Sequence, residues 1–298
     1  MIDGYNRALS IDAPLSGNPP PDTGPAPRLI DRDANRTSVV ANLIAIYAYR
    51  ELVRNLVLKE LKLKYRGSVL GFLWSLINPL AMVGVYTLAF KYIIGVQQPG
   101  FSFFILLGVM AWTFFANSAM LSTGAIVDGS GLIRAVRFPR AVLPLATVIF
   151  GLIQYLLTVV ALLPLMFIVY KLPPPGPLLL FPIFLALQVA FVMGVALVLA
   201  AATTFFRDVR HFVEIALSML FWLTPIVYPL TQAPPWLRPV LLLSPMSPFV
   251  VAYQDIFYLG VWPSAIVWAG ALVYGVGVFS AGMWWFLSLE PRISEQLL

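Results

Sequence analysis

Three basic side chains at alternate positions, Lys62, Lys64 and Arg66, close a charged stretch that also holds Lys59 and Glu60. Directly after them the charge stops. From Gly67 to Phe90 there are 24 residues without an ionisable side chain, enough at about 1.5 Å per residue to cross a bilayer core of about 30 Å. A basic helix at a membrane surface therefore feeds into a membrane-spanning helix, and the positive corner marks the cytoplasmic side.

A second basic cluster recurs at every third residue, Arg134, Arg137 and Arg140, with Leu132, Ile133, Val136 and Phe138 among them. A short helix with one basic and one apolar side suits docking into a groove on a cytoplasmic partner. It suits equally a topology-setting loop that touches lipid headgroups. The residue types exclude other chemistry. There is no cysteine, so no thiolate nucleophile or thiolate metal site, and the single histidine, His211, cannot build a triad or a histidine metal cluster within one chain. No Gly-Lys pair occurs, hence no phosphate-binding GxxxxGK[ST] loop.

Composition sets the class. Hydrophobic residues make up 60% of the 298 and charged residues only 11%, against about 25% charged in soluble domains; the mean hydropathy is +0.88. The chain reads as a polytopic all-α membrane protein. Its formal charge of +6 is a topology signal rather than a nucleic-acid footprint.

Residues 1–38 are polar and proline-rich, read as a disordered cytoplasmic tail, and lack the arrangement of a signal peptide. Residues 42–66 form an amphipathic helix. Glu51, Asn55, Lys59, Lys62 and Arg66 fall on one face and Leu52, Val53, Leu56, Val57 and Leu63 on the other, which Glu60 and Lys64 interrupt. Such a helix lies in the membrane interface. The region 67–298 then holds uncharged runs at 67–90, 92–127, 141–170, 172–206, 215–237 and 256–289, predicting six transmembrane helices. The run 239–254 is too short and too interrupted by Pro245 and Pro248 to span. The whole of 230–262 is expected to form re-entrant or interfacial helices at the outer side, where a gate would lie. Lys91, Lys171 and Arg238 fall on one side and the remaining Lys and Arg on the other, which puts both termini in the cytoplasm.

Polar groups within the expected spans are few: Ser75, Asn78, Asn117, Gln154 and Gln188. Chains of buried carboxylates and histidines, the mark of ion-coupled pumps, are absent. Aromatic residues are abundant, and an aromatic-lined path is one along which a sugar chain slides by ring stacking.

The stretch Lys64-Tyr-Arg-Gly-Ser-Val-Leu-Gly-Phe-Leu-Trp-Ser-Leu-Ile-Asn-Pro-Leu80 closely resembles the signature of type-2 ABC exporter permeases for polysaccharides, the O-antigen (Wzm-like), teichoic acid and capsule exporters. Phe138-Pro139-Arg140-Ala141-Val142-Leu143-Pro144 and Ser244-Pro245-Met246-Ser247-Pro248-Phe249, followed by Ala252-Tyr253-Gln254-Asp255, look like the same family. The resemblance covers about residues 42–290.

It implies a homodimer in the bacterial inner membrane bound to two ABC ATPase subunits, which hold the ATP and Mg; this chain carries no cofactor of its own. It also implies that 42–66 is the interface helix, that the loop near 130–140 is the coupling helix docked on the ATPase, and that 230–262 holds the outer gate helices. Spans one and five line the path. The substrate class is a polyprenyl-pyrophosphate-linked glycan, with Lys62, Lys64 and Arg66 placed to meet the pyrophosphate. Trp74, Tyr86, Phe90, Phe221, Trp222 and Tyr228 are the stacking candidates. Two other readings compete. A type-2 exporter of drugs or small lipids would share the fold, and a membrane-embedded glycosyltransferase or ligase would need a base such as Asp255, the one acidic residue of the outer segment.

Overall fold

The computed structural model describes residues 47–67, 71, 73–136, 138–170 and 177–297. The chain divides into two units, Met1–Asn35 and Arg36–Leu298. All of the first, with the expected tail 1–38 and the start of the 42–66 helix, lies outside the described residues. Among the described residues every regular element is helical.

Helix α1 spans Arg50–Tyr65, with Glu51 in its first turn and Lys62 and Lys64 in its last, matching the helix dipole. It stops where Arg66 turns extended and Gly67 adopts a φ of +72°, a left-handed conformation that glycine enters without cost to a Cβ. Helix α2 (Leu73–Thr87) runs on through a π-helical stretch, Leu88–Ile93. Next come α3 (Phe101–Asp128), the six-residue α4 (Ser130–Ala135) and α5 (Val142–Tyr170). Helices α6 (Phe181–Phe205) and α7 (Val209–Leu223) follow. The short α8 (Arg238–Leu242) and α9 (Ser247–Gln254) lead into a π-helical turn, Asp255–Leu259. A continuous rod of α10 (Ala265–Leu272), a π-helical stretch Val273–Val278 and α11 (Phe279–Leu297) ends the chain.

Among the described residues five stretches are long and apolar enough to cross a membrane: Leu73–Ile93, Phe101–Asp128, Val142–Pro164, Leu178–Phe205 and Ala265–Ile293. The expected run at 215–237 is not one of them. Its helix, α7, begins earlier and ends at Leu223, because Thr224 precedes Pro225 and is driven to an extended ψ of 134°. At 15 residues, α7 covers only about 22 Å.

Contacts fix the relative directions. Ser122 and Thr147 share a 2.8 Å hydrogen bond, and the Phe114 and Tyr155 rings stack at 5.5 Å, so α3 and α5 are antiparallel. Gln188 reaches the Ala111 carbonyl and Phe191 meets Phe115 at 5.3 Å, so α3 and α6 are parallel. Phe184 packs on Trp268 at 4.5 Å, while Gly194 touches the backbone at Val278, so α6 and the final rod are parallel as well. Residues 206–264 must therefore return the chain to the end where α6 began. Helix α7 starts that return, running antiparallel to α3: Phe221 faces Trp112 at 5.6 Å, and Ile226 lies against Gly108.

The core centres on α3, apolar on all sides and buried over most of its length. Helix α9 has every residue buried. It is packed among α3, α6 and α10.

The tightest approach of one backbone to another at a glycine among the described residues joins α6 to the final rod. A Cβ on Gly194 would stand 2.4 Å from the Val278 carbonyl oxygen, and one on Gly282 would stand 2.4 Å from the Gly194 oxygen. Backbone cannot move aside as a side chain can. Gly194→Ala should cost about 1–3 kcal/mol of stability, read as a lowered thermal midpoint of the purified protein. Gly84→Ala, with nothing within 4 Å, should leave the midpoint unchanged or raise it.

Candidate functional site

The basic corner is divided by the helix that carries it. Residues two apart on a helix stand about 200° apart, and α1 sends Lys62 and Lys64 to opposite sides. Lys62 and Arg66, four apart, join Lys59 and Asn55 around an open surface depression. Lys64 turns the other way, toward α5, against which α1 packs. Val53 and Val57 are buried there, as the periodicity predicts, but Leu63 is exposed rather than on the buried face. It lines both the depression and the space behind it.

That space is a cavity of about 760 Å³ between α1, α2, α3 and α5. Four of the five polar residues expected within the spans line it: Ser75 and Asn78 from α2, Asn117 from α3 and Gln154 from α5. Lys64 enters at the end of α1 and its ammonium donates to the Gln154 side-chain oxygen. The same ammonium lies 5.8 Å from the Phe150 ring centre and 5.9 Å from that of Tyr65. Burial pulls it below the usual lysine pKa, since desolvation disfavours the charged form. A 2.8 Å hydrogen bond between the Tyr65 and Ser75 hydroxyls ties α1 to α2 across the corner. Asn78 and Asn117 have no hydrogen-bond partner among the described residues, and both are exposed to the cavity. Asn117 lies 11 residues from the end of α3 and Gln154 12 residues from the start of α5, some 16–18 Å along each helix from the docking loop.

The fifth polar residue, Gln188, is elsewhere and fully satisfied. Its amide nitrogen donates to the Ala111 carbonyl at 3.0 Å, and its oxygen accepts from Tyr253 Oη at 2.7 Å. It clips α9 into the bundle. Gln254 adds a 3.0 Å bond to the Pro225 carbonyl, and Thr224 pairs with Ser244 at 2.8 Å.

The six aromatic candidates separate into three places. Trp74, half-exposed, lines the cavity. Tyr86, Phe221 and Trp222 form one cluster, with ring centres 5.6 Å apart for Tyr86–Phe221 and 5.4 Å for Phe221–Trp222, and Tyr228 Oη donates to the Trp222 carbonyl at 2.8 Å. Phe90 stands apart against Phe101 at 6.5 Å. Phe221 is buried, packed also on Trp112; it backs the cluster, while Trp222 is the open ring. Trp112 completes the group and is not legible in sequence as different from any other core aromatic.

The loop expected to dock on a partner exposes fewer side chains than its arginine spacing predicts. Within and after α4, Arg134 and Val136 are exposed, and Leu132 and Ile133 are half-buried against the core. Phe138, expected on the docking side, is buried instead. Arg140 turns inward: its backbone N–H donates to Glu290 Oε1 at 3.3 Å and Nη1 to the Glu290 carbonyl at 3.4 Å. It ties the loop to α11. Arg137 lies outside the described residues.

Asp255, at the start of the π-helical turn Asp255–Leu259, has its carboxyl pushed up to about 6 by burial. A carboxyl raised above its unfolded value binds more protons in the folded state. Its charge therefore costs stability increasingly as pH rises from about 4 to about 6, and the full cost remains above that. Asp255→Asn should raise the thermal midpoint at pH 7.5 by about 2–4 °C and by less at pH 5. Equal gains at both values would show that the carboxylate charge carries no such cost.

Residues 51–258 match the family described as ABC-2 type transporter. An O-antigen export system permease protein, RfbA, of Myxococcus xanthus is 38% identical over 218 residues, covering 72% of this chain and 82% of the relative. A protein of the same description from Klebsiella pneumoniae is 30% identical over 203 residues, 68% and 78% of the two chains. The polysialic acid transport protein KpsM of Escherichia coli is 27% identical over 203 residues, 65% and 76%. The family match spans most of the described helices, from α1 through α9 and into the π-helical turn after it, and with these relatives it establishes that the chain belongs to the ABC-2 type transporter family.

Proposed function

We propose that this chain is the transmembrane subunit of an ATP-driven exporter that moves a polyprenyl-pyrophosphate-linked polysaccharide from the cytoplasmic to the outer face of the bacterial inner membrane. The observation that carries the reading is the corner of α1. It presents Lys62 and Arg66 on an open face and Lys64 to a cavity where the few polar side chains of otherwise apolar helices meet. Anionic headgroup chemistry on one side and polyhydroxylated cargo on the other suit that pairing. Relatives named for O-antigen export and polysialic acid transport support the polysaccharide class.

The chain has no phosphate-binding loop, so ATP and Mg belong to a partner ATPase, two copies serving a homodimer of this subunit. Arg134, Val136 and the Arg137 position would dock on it, with Phe138 and Arg140 holding the loop from behind. Six crossings are supported by direction: α6 and the final rod are parallel. The return between them begins with about 22 Å of α7 and continues through the bent residues 224–228. Both termini are then cytoplasmic, α1 is the interface helix, and 230–262 forms the outer gate. Spans one and five meet at the Tyr86–Phe221–Trp222 cluster.

In cells depleted of this protein, full-length polyprenyl-linked glycan should accumulate on the cytoplasmic face. A normal pool with intact surface polymer would instead favour an exporter of drugs or small lipids. Arg134→Glu combined with Arg137→Glu should abolish co-purification of the ATPase while the permease still inserts; unchanged co-purification would remove these arginines from the docking surface.

A further inference from the structure

The cavity behind α1 has a chemistry of its own, distinct from the basic depression beside it. A chamber for a prenyl or acyl tail would be lined by hydrocarbon, because an unpartnered amide against a lipid tail loses its water without compensation. Here Asn78 and Asn117, beside Ser75 and Thr113 on the same two helices, turn into one space and have no partner among the described residues. Each carboxamide offers two donors and an acceptor. The Lys64 ammonium gives one of its three N–H groups to Gln154, which leaves two for a guest. Trp74, half-exposed, supplies a ring face at the same wall. At about 760 Å³ the volume falls within the roughly 300–1,000 Å³ of small-molecule sites. The walls are fixed from three sides, by the Lys64–Gln154 bond, the Tyr65–Ser75 bond and the packing of α1 on α5.

Convergent amides, a cation and one aromatic face are what a sugar ring asks for: directional partners for its hydroxyls and a flat apolar surface for its C–H face. Leu63 lines both this cavity and the depression that holds Lys62 and Arg66, so the two spaces adjoin across one side chain. We infer that the cavity is a sugar subsite, taking the hexopyranose attached directly to the headgroup phosphates of the lipid-linked glycan, while Lys62 and Arg66 hold those phosphates where the two spaces meet at Leu63. The subsite rests on the exporter reading and deepens it. Within it the permease reads the first residue of the chain at the cytoplasmic entrance.

The test uses the full complex with its ATPase in lipid nanodiscs and two probes: a polyprenyl pyrophosphate, and the same lipid carrying one glucose or one N-acetylglucosamine. Wild-type complex should bind a sugar-bearing lipid about tenfold more tightly than the bare one, the scale of one or two net hydrogen bonds. Asn117→Leu and Asn78→Leu should erase that preference and leave bare-lipid affinity unchanged, whereas Lys62→Ala with Arg66→Ala should weaken both lipids. Trp74→Phe should keep the preference and Trp74→Leu lose it, a pair that does not depend on the amide variants folding. Equal affinity of wild type for the bare lipid and both sugar-bearing lipids, or a preference that survives Asn117→Leu and Asn78→Leu, would overturn the subsite and leave the exporter reading standing. Binding of neither lipid class, with a normal glycan pool in depleted cells, would remove both.

Discussion

The approach of α6 to the final rod at Gly194 and Gly282 is the constraint from which the rest of the bundle follows. Two backbones meet with no room for a Cβ on either glycine, so their relative depth and direction are set closely. Because they run parallel, everything between them must come back across the bundle. That requirement turns 206–264, broken by Pro225, Pro229, Pro234 and Pro235, into an obligatory return path. Within it, residues 244–257 are mostly buried. Its backbone cannot be left to lipid, and α9 is enclosed by α3, α6 and α10.

The polar side chains of the spans do two kinds of work. Gln188 is a fastener: both ends of its amide are engaged, one to the α3 backbone and one to Tyr253 of α9. An amide so satisfied at membrane depth stabilises one arrangement of three helices, because displacing any of them leaves a buried polar group unpaired. The amides at Asn78 and Asn117 are the opposite case. They meet across an open space beside the Lys64 ammonium, with no hydrogen-bond partner among the described residues.

The loop after α3 is tied to the membrane helices by a short route. Arg140 joins the loop to Glu290 through backbone and side chain, and Glu290 sits on α11, in the same rod that locks against α6. Displacement of the loop therefore bears on the helix that fixes the bundle's direction. Phe138, buried beside it, makes the loop part of the core rather than a hinge on its surface.

Much of this was legible in the sequence, and for a single reason: exposure to lipid is a local demand on composition. Charge-free runs at 67–90, 92–127, 141–170, 172–206 and 256–289 each hold most of one of the five long apolar helices found among the described residues. The seating of Lys64 apart from Lys62 and Arg66 was already implied by its interruption of the apolar face of α1. The run 215–237 misled because hydropathy does not register that Thr224 before Pro225 must leave the helix. What one sequence could not supply is which faces meet. Asn78, Asn117, Gln154 and Lys64 are far apart in the chain and share a cavity only through the rotation of four helices about their axes. Arg140 finds its partner 150 residues away. Composition determined the class of the fold and the lengths of its helices, because solvation acts residue by residue. Tertiary packing alone decided the site, because a site is made of relative rotations, and those are set by contacts such as Gly194 against Gly282 that no local pattern records.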